Sequence, residues 1–226
     1  LTRSSAASDV YKRQGFINAV VAKIQPEDAE WDAADYDYNV VRWSSEPDGN
    51  LLGIGPRVSN PLTGEIISAD VVNKLLAIKL GYNYRKLYGY TEDNDPLMQY
   101  ITNLTLHEVG HALGLRHNFR GSYLYSPDEI HDKTITGNVL MSSVMDYDPI
   151  NVAPQGIEQG IYFSTEPGIY DKWAIKFGYT PNLSDEERTE LLRQSVKREL
   201  TFGTDDDAMS YPVSYTHLRA HETDRY

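Results

Sequence analysis

Apolar and β-branched positions cluster early in the chain. Tyr38–Trp43 (YNVVRW), Leu51–Val58 and Glu65–Val72 each have the texture of a strand, because short runs of such residues bounded by turn formers suit a half-buried pleated surface. Ser44–Asn50 (SSEPDGN) is turn chemistry, and the SNPLTG between the second and third stretches predicts a hairpin or bulged connection. Phe16–Ile24 reads as a further apolar strand or short helix, followed by the acidic loop PEDAEWDAADYD. The first third is therefore expected to be mainly β.

From Asp95 the period changes. Leu97, Ile101, Leu104 and then Val109 or Ala112 keep an apolar stripe at helical spacing, with Asp95 as N-cap, Pro96 as the first helical residue and Gly114 as the stop. Residues 121–157 show no sustained period and are rich in Gly, Pro, Asn, Asp and Ser, which predicts a long loop, and loops of that length are usually functional. Tyr170, Trp173, Ala174 and Phe177 recur at i, i+3, i+4 and i+7, predicting a short amphipathic helix closed by Gly178. SDEE at Ser184–Glu187 is a capping box opening a charged helix through Leu200.

Composition narrows the chemistry. With 21 Lys and Arg against 33 Asp and Glu, the formal charge of -12 is the wrong sign for binding a phosphate backbone. No nucleic-acid partner is expected. Cysteine is absent, which excludes a disulfide scaffold, an iron–sulfur cluster, a Cys-based zinc site and a thiol nucleophile. No apolar run approaches the roughly 18–20 residues that span a bilayer, and LTRSSAASDVYKRQ lacks the apolar centre of a signal peptide.

Histidine carries the signal that remains. His107–His117 reads HEVGHALGLRH; on a helix, residues i and i+4 project from one face, so His107 and His111 can share one metal. Glu108, beside the first ligand, is placed to act on water as a general base without occupying the coordination sphere. Gly114 lets the chain leave the helix so that His117 returns as a third ligand. Three histidines with one position open describe a catalytic rather than a closed structural zinc site. Five specified residues at this spacing arise by chance with a frequency of order ~10⁻⁵ in such a chain. A thermolysin-like site would take a Glu as third ligand, which His117 argues against. A non-catalytic zinc or peptide-binding module is the rival of another class, and the presence of Glu108 speaks against it. His131, in DEIHDK, reads as a surface residue, and Asp205–Asp207 as a solvated turn without an EF-hand pattern.

This stretch resembles the metzincin superfamily of zinc endopeptidases, whose motif HExxHxxGxxH is followed by a loop with a methionine beneath the metal. SSVMDY at Ser142–Tyr147 looks like that Met-turn. The resemblance implies Met145 as an apolar floor rather than a ligand, and Tyr147 as a residue able to contact the tetrahedral intermediate, with loop packing as its alternative role. LRHNF at Leu115–Phe119, NPLTGEI at Asn60–Ile66 and YDKWAIKFGY at Tyr170–Tyr179 are similar to the bacterial-type Met-zincin family, over most of residues 15–208. That family implies an α+β catalytic domain with a twisted mixed sheet, an active-site helix, a Met-turn loop and a helical C-terminal subdomain. It also implies Zn2+ as cofactor, a protein or peptide substrate, flanking domains missing here, and a secreted, periplasmic or cell-surface location. An extended substrate would pair with a strand edge in either Leu51–Val58 or Glu65–Val72.

The two ends read differently from the rest. SSAASDVYKRQ at Ser4–Gln14 can be back-translated to contain ATGTGTATAAGAGAC, and VSYTH at Val213–His217 to its reverse complement, an inverted repeat that resembles a sequencing-library adaptor. Residues 1–14 and 213–226 are therefore expected to be non-native, leaving a truncated metallopeptidase domain over 15–212. His217 and His221, four apart, fall in the excluded tail.

Overall fold

The computed structural model describes residues 21–45 and 51–204. Residues 16–20, most of the SSEPDGN turn, Asp205–Asp207, both tails and with them His217 and His221 lie outside those residues. Val21–Ile24, the described end of the first apolar run, is exposed and forms neither strand nor helix.

Strand β1 (Val41–Ser44) begins later than YNVVRW suggests and runs parallel to β5 (Val71–Lys74), with Val41 opposite Val71. On the other side of β5 lies β2 (Gly53–Ile54), antiparallel, with Gly53 opposite Asn73, so the sheet order is β1-β5-β2. The expected single strands over Leu51–Val58 and Glu65–Val72 each break in two. Pro56 has no N–H to continue a ladder, so the chain leaves the sheet after β2 and enters a hairpin of β3 (Arg57–Ser59) and β4 (Ile66–Ala69). Asn60 N–H closes that hairpin on the Glu65 carbonyl at 2.8 Å, with a bulge between Val58 and Ser59. Asp70 makes the second break, because its Oδ1 accepts the Val40 N–H at 2.9 Å and turns the chain back into the sheet.

Helix α1 (Leu75–Tyr88) was not legible in the apolar pattern, and the reason is local. It follows β5 directly from Lys74, which makes no side-chain capping bond, so strand and helix form one unpunctuated apolar run. Ala77 and Gly81 face inward, and a Cβ at Gly81 would lie 2.7 Å from Leu97 Cδ1, so the missing side chain lets α1 settle on the next helix. That helix, α2 (Pro96–Ala112), starts as expected: the Asp95 carboxylate accepts the Leu97 N–H at 3.0 Å and Pro96 stands at the first position. Tyr84 of α1, Tyr100 of α2 and Phe163 pack with ring centroids 5.1–5.6 Å apart, joining Ala77 and Tyr162 in the core. On its other side α2 meets the sheet, where Asn73 Nδ2 donates to Thr105 Oγ1 at 3.1 Å.

Residues 121–157 form the expected long loop, interrupted by a 3-10 turn at Gly121–Tyr123 and the single-turn helix α3 (Lys133–Thr136). Helix α4 (Ile169–Tyr179) runs through Gly178 and ends one residue later. Tyr179 O–H donates to the Leu113 carbonyl at 2.7 Å, capping the far end of α2. Helix α5 (Asp185–Gln194) opens with the Ser184–Glu187 capping box. It stops at Gln194 rather than Leu200, because Leu191 is its buried anchor while Val196 beyond it is almost fully exposed; a 3-10 turn, Arg198–Leu200, follows. The whole is a mixed α/β domain with a small mixed sheet and several helices. No helix among the described residues is long and apolar enough to cross a membrane.

Candidate metal centre

His107 and His111 stand one turn apart near the end of α2, and the chain then reverses sharply. Gly114 takes φ +94°, a region that disfavours any residue with a Cβ. Its N–H bonds the His111 carbonyl and the Leu115 N–H reaches the Gly110 carbonyl, both at 2.9 Å, the paired bonds of a Schellman cap. Three residues further on, His117 comes back to the helix face. It is held there by its neighbour Asn118, which is fully buried. The Asn118 N–H donates to the Met145 carbonyl at 3.1 Å, and its side chain bonds the Thr201 carbonyl and the Gly203 N–H.

The outcome is a cluster in which one ligand atom from each of His107, His111 and His117 lies within 4.8 Å of the others. Orientation follows from the other ring nitrogens. His107 Nδ1 faces the Val144 carbonyl at 2.7 Å and His111 Nδ1 the Leu115 carbonyl at 3.0 Å. A carbonyl only accepts, so both Nδ1 atoms carry protons and both Nε2 atoms present lone pairs. His111 Nε2 and His117 Nε2 are 3.1 Å apart, close to the roughly 3.3 Å between ligands on a tetrahedral ion with metal–nitrogen bonds near 2.0–2.1 Å. Burial, and then the neighbouring His111, press the His107 pKa down to about 3, which keeps the ring neutral and ready to ligate. The donor set fits a zinc-type ion.

Glu108 is 5% exposed and does not belong to that set. Burial raises its pKa to about 7, offset in part by a hydrogen bond from the Gly55 backbone N–H. The segment at Gly53–Gly55 lies directly on this residue, next in the chain to His107.

Met145 is completely buried, and a Cβ on Gly110 would fall on its sulfur. The Met145 side chain thus touches the helix between the two helical histidines. Tyr147 is 44% exposed, and its O–H lies 2.8 Å from His117 Nε2. Its ring faces that of His107 at 5.4 Å. The three histidines, Tyr147 and Met145 are thus brought to one place, with Glu108 buried next to His107 in the chain.

Several supporting groups escaped sequence reading. Asp171, in the first turn of α4 and 3% exposed, accepts the Val144 N–H at 2.8 Å, the Ser143 hydroxyl at 2.6 Å and the Gly168 N–H at 2.9 Å. Its pKa is pushed up to about 6 by burial, against the pull of those donors. Asp146, also buried, accepts the Ser122 and Tyr147 N–H groups and steadies the backbone that presents Tyr147. In the sequence both look like ordinary helix-start and turn acids; only their burial marks them. His131 is a correction of another kind: it is half-buried, with Nδ1 shut away from solvent and no hydrogen-bond partner.

A comparison with protein-family models matches residues 90–225, more than half the chain, to Met-zincin. No curated protein and no solved structure shows significant similarity. The matched region holds the histidine cluster, Glu108, the Met145 loop and α4, and the chain belongs to the Met-zincin family.

Proposed function

We propose that this domain is a zinc-dependent endopeptidase of metzincin type, cleaving peptide bonds with water activated by Glu108. One observation carries the reading: three imidazoles each bring a ligand atom to one cluster, and the residue next to the first of them, Glu108, is a buried acid that is not itself part of that cluster. A structural site would enclose its ion with four protein ligands. Zinc supplies Lewis acidity to such a site, polarising a carbonyl and making water more acidic.

The chain's own groups divide the remaining work. Glu108, a buried carboxylate next to His107 and outside the ligand cluster, is the group placed to act as general base. It takes a proton from the attacking water and returns it to the leaving amine as the C–N bond breaks. The Tyr147 hydroxyl, at the level of His117 Nε2, donates to the oxyanion that develops on the scissile carbonyl. The Met145 loop serves as the Met-turn, an apolar floor under the imidazoles. His107 and His111 hold their rings through backbone carbonyls, so they contribute orientation without competing protons.

An extended peptide is the substrate this shape suits. Strand β5 is paired on both sides, whereas β2 is the last strand of its sheet and lies against α2. In the other stretch β4 also has a free edge, since it pairs only with β3, but β2 is the strand that lies against Glu108, so Leu51–Val58 is the edge proposed for β-pairing. Family resemblance supports an exported protein, whether secreted, periplasmic or at the cell surface.

The decisive experiment is Glu108→Gln in the zinc-loaded protein, assayed on an unfolded protein substrate. The amide still accepts a hydrogen bond but cannot take a proton, so zinc content is expected to stay and cleavage to vanish. Retained turnover would remove Glu108 as the base. Wild-type protein that binds zinc and peptide but cleaves nothing would favour a binding module.

A further inference from the structure

Strand β2 (Gly53–Ile54) runs straight into Gly55, and both glycines lie against α2 at Glu108 while Ile54 between them is turned toward solvent. Ile54 is 43% exposed. A Cβ added to Gly53 would stand 2.6 Å from Glu108 Oε1, 2.9 Å from Cγ and 3.0 Å from Cδ. A Cβ added to Gly55 would instead fall on the backbone oxygen of Glu108 and stand 3.2 Å from His111 Cβ. Neither glycine has a left-handed φ that would explain it. What both share is that the backbone lies against Glu108, on its side chain at Gly53 and on its main chain at Gly55.

We infer that Gly53 and Gly55 are positioning residues for Glu108: their bare backbone forms a wall that confines the carboxylate to one place beside the histidine cluster. The Gly55 N–H fastens the carboxyl group from the same wall. A glutamate has three side-chain torsions, and an unconfined one would sample rotamers that point the carboxylate away from the histidines. Confinement by a strand held in the sheet through β5 replaces that freedom with one orientation. The same strand carries the free edge proposed for substrate, so peptide pairing on its outer side and base placement on its inner face rest on one element. The catalytic consequence depends on the endopeptidase reading; the steric contact does not.

The two glycines are told apart by what they touch, which supplies the test. The three nearest atoms to a Cβ at Gly53 all belong to the Glu108 side chain, whereas at Gly55 the two nearest belong to the helix backbone. In a thermal double-mutant cycle, Gly53→Ala should lower Tm by roughly 3–8 °C in the wild-type background. In the Glu108→Ala background the same change should cost under about 1 °C, since the obstructing atoms are gone. Gly55→Ala should remain destabilising in both backgrounds. In the zinc-loaded protein, Gly53→Ala should keep its zinc and its KM within about twofold while kcat falls at least about tenfold, the scale of a misplaced catalytic group.

An equal Tm loss from Gly53→Ala in both backgrounds would overturn the contact. An unchanged kcat despite the Tm loss would overturn its positioning role. If Gly53→Ala does not fold, the Gly53→Ala/Glu108→Ala protein must fold for the inference to stand. A wild type that cleaves nothing would defeat the endopeptidase reading while leaving the Tm cycle to decide the contact.

Discussion

Asp171 and His107 grip opposite ends of one residue. The Asp171 carboxylate accepts the Val144 N–H at 2.8 Å, and the Val144 carbonyl takes the proton of His107 Nδ1 at 2.7 Å. The first turn of α4 is thereby wired to the first ligand of the candidate zinc site. Outer groups of this kind fix the tautomer and aim of a ligating imidazole.

Asp171→Asn is expected to break that wiring without opening a cavity. The carboxylate accepts three donors, and an amide turns an N–H toward at least one of them, at a cost of about 1–3 kcal/mol. Zinc affinity should fall about 10–100-fold, the usual loss for an outer partner. Urea unfolding and competitive zinc titration would check both numbers. Unchanged affinity would mean that Val144 is held by the rest of the loop.

The same residue sets a pH dependence. Its pKa rises from 3.8 to about 6 on folding, so between those values the folded chain keeps a proton that the unfolded chain has lost. Fewer protons on the unfolded side mean that stability falls as pH rises from about 4 to about 6, by up to about 3 kcal/mol. Asparagine does not titrate. The advantage of wild type over Asp171→Asn, measured without metal, should therefore be largest near pH 4 and shrink toward pH 7.

Gly110→Ala should destabilise the protein although alanine favours helices. The new methyl falls on Met145 Sδ inside a fully buried contact, and overpacking costs about 1–3 kcal/mol, more than the gain of up to about 1 kcal/mol in helix propensity. Met145→Ala should rescue much of the loss by opening space beneath the helix. By itself Met145→Leu should cost less than about 1.5 kcal/mol and retain zinc. Calorimetry on the four proteins would decide.

Tyr147→Phe removes one hydroxyl, 2.8 Å from His117 Nε2 and on a partly exposed ring. Folding and zinc content should barely change, while turnover falls about 10- to 10³-fold, the scale of one oxyanion donor, with little change in KM. Equal activity would return Tyr147 to loop packing.

His117→Ala should weaken zinc binding and leave α2 intact, because Gly114 and Tyr179 cap the helix independently of the third ligand. Circular dichroism with zinc titration would separate the two effects. Full zinc affinity in that variant would remove His117 from the ligand set.

What the sequence determined by itself is whatever depends on neighbours along the chain. Asp95-Pro96 and Gly114 set the two ends of α2, and SDEE opened α5, because a cap is a contact between residues at most five positions apart. The spacing of His107, His111 and His117 is of the same kind, since helix pitch and one glycine turn bring the three imidazoles together, with Glu108 next to the first. Where local signals conflict or are missing, element boundaries are set by contacts from outside the segment. Strand ends moved to Pro56 and Asp70, and α1 passed unseen because nothing separates it from β5. Only tertiary structure could decide the rest. That Asp171 reaches Val144, that Gly110 admits Met145 and that Gly53 confines Glu108 are contacts across 27, 35 and 55 positions of chain. A buried carboxylate and a surface one share the same letter, and a glycine required by a distant sulfur or carboxylate looks like any other. Burial and close approach arise when the helices and sheet pack together, and they tell such residues apart.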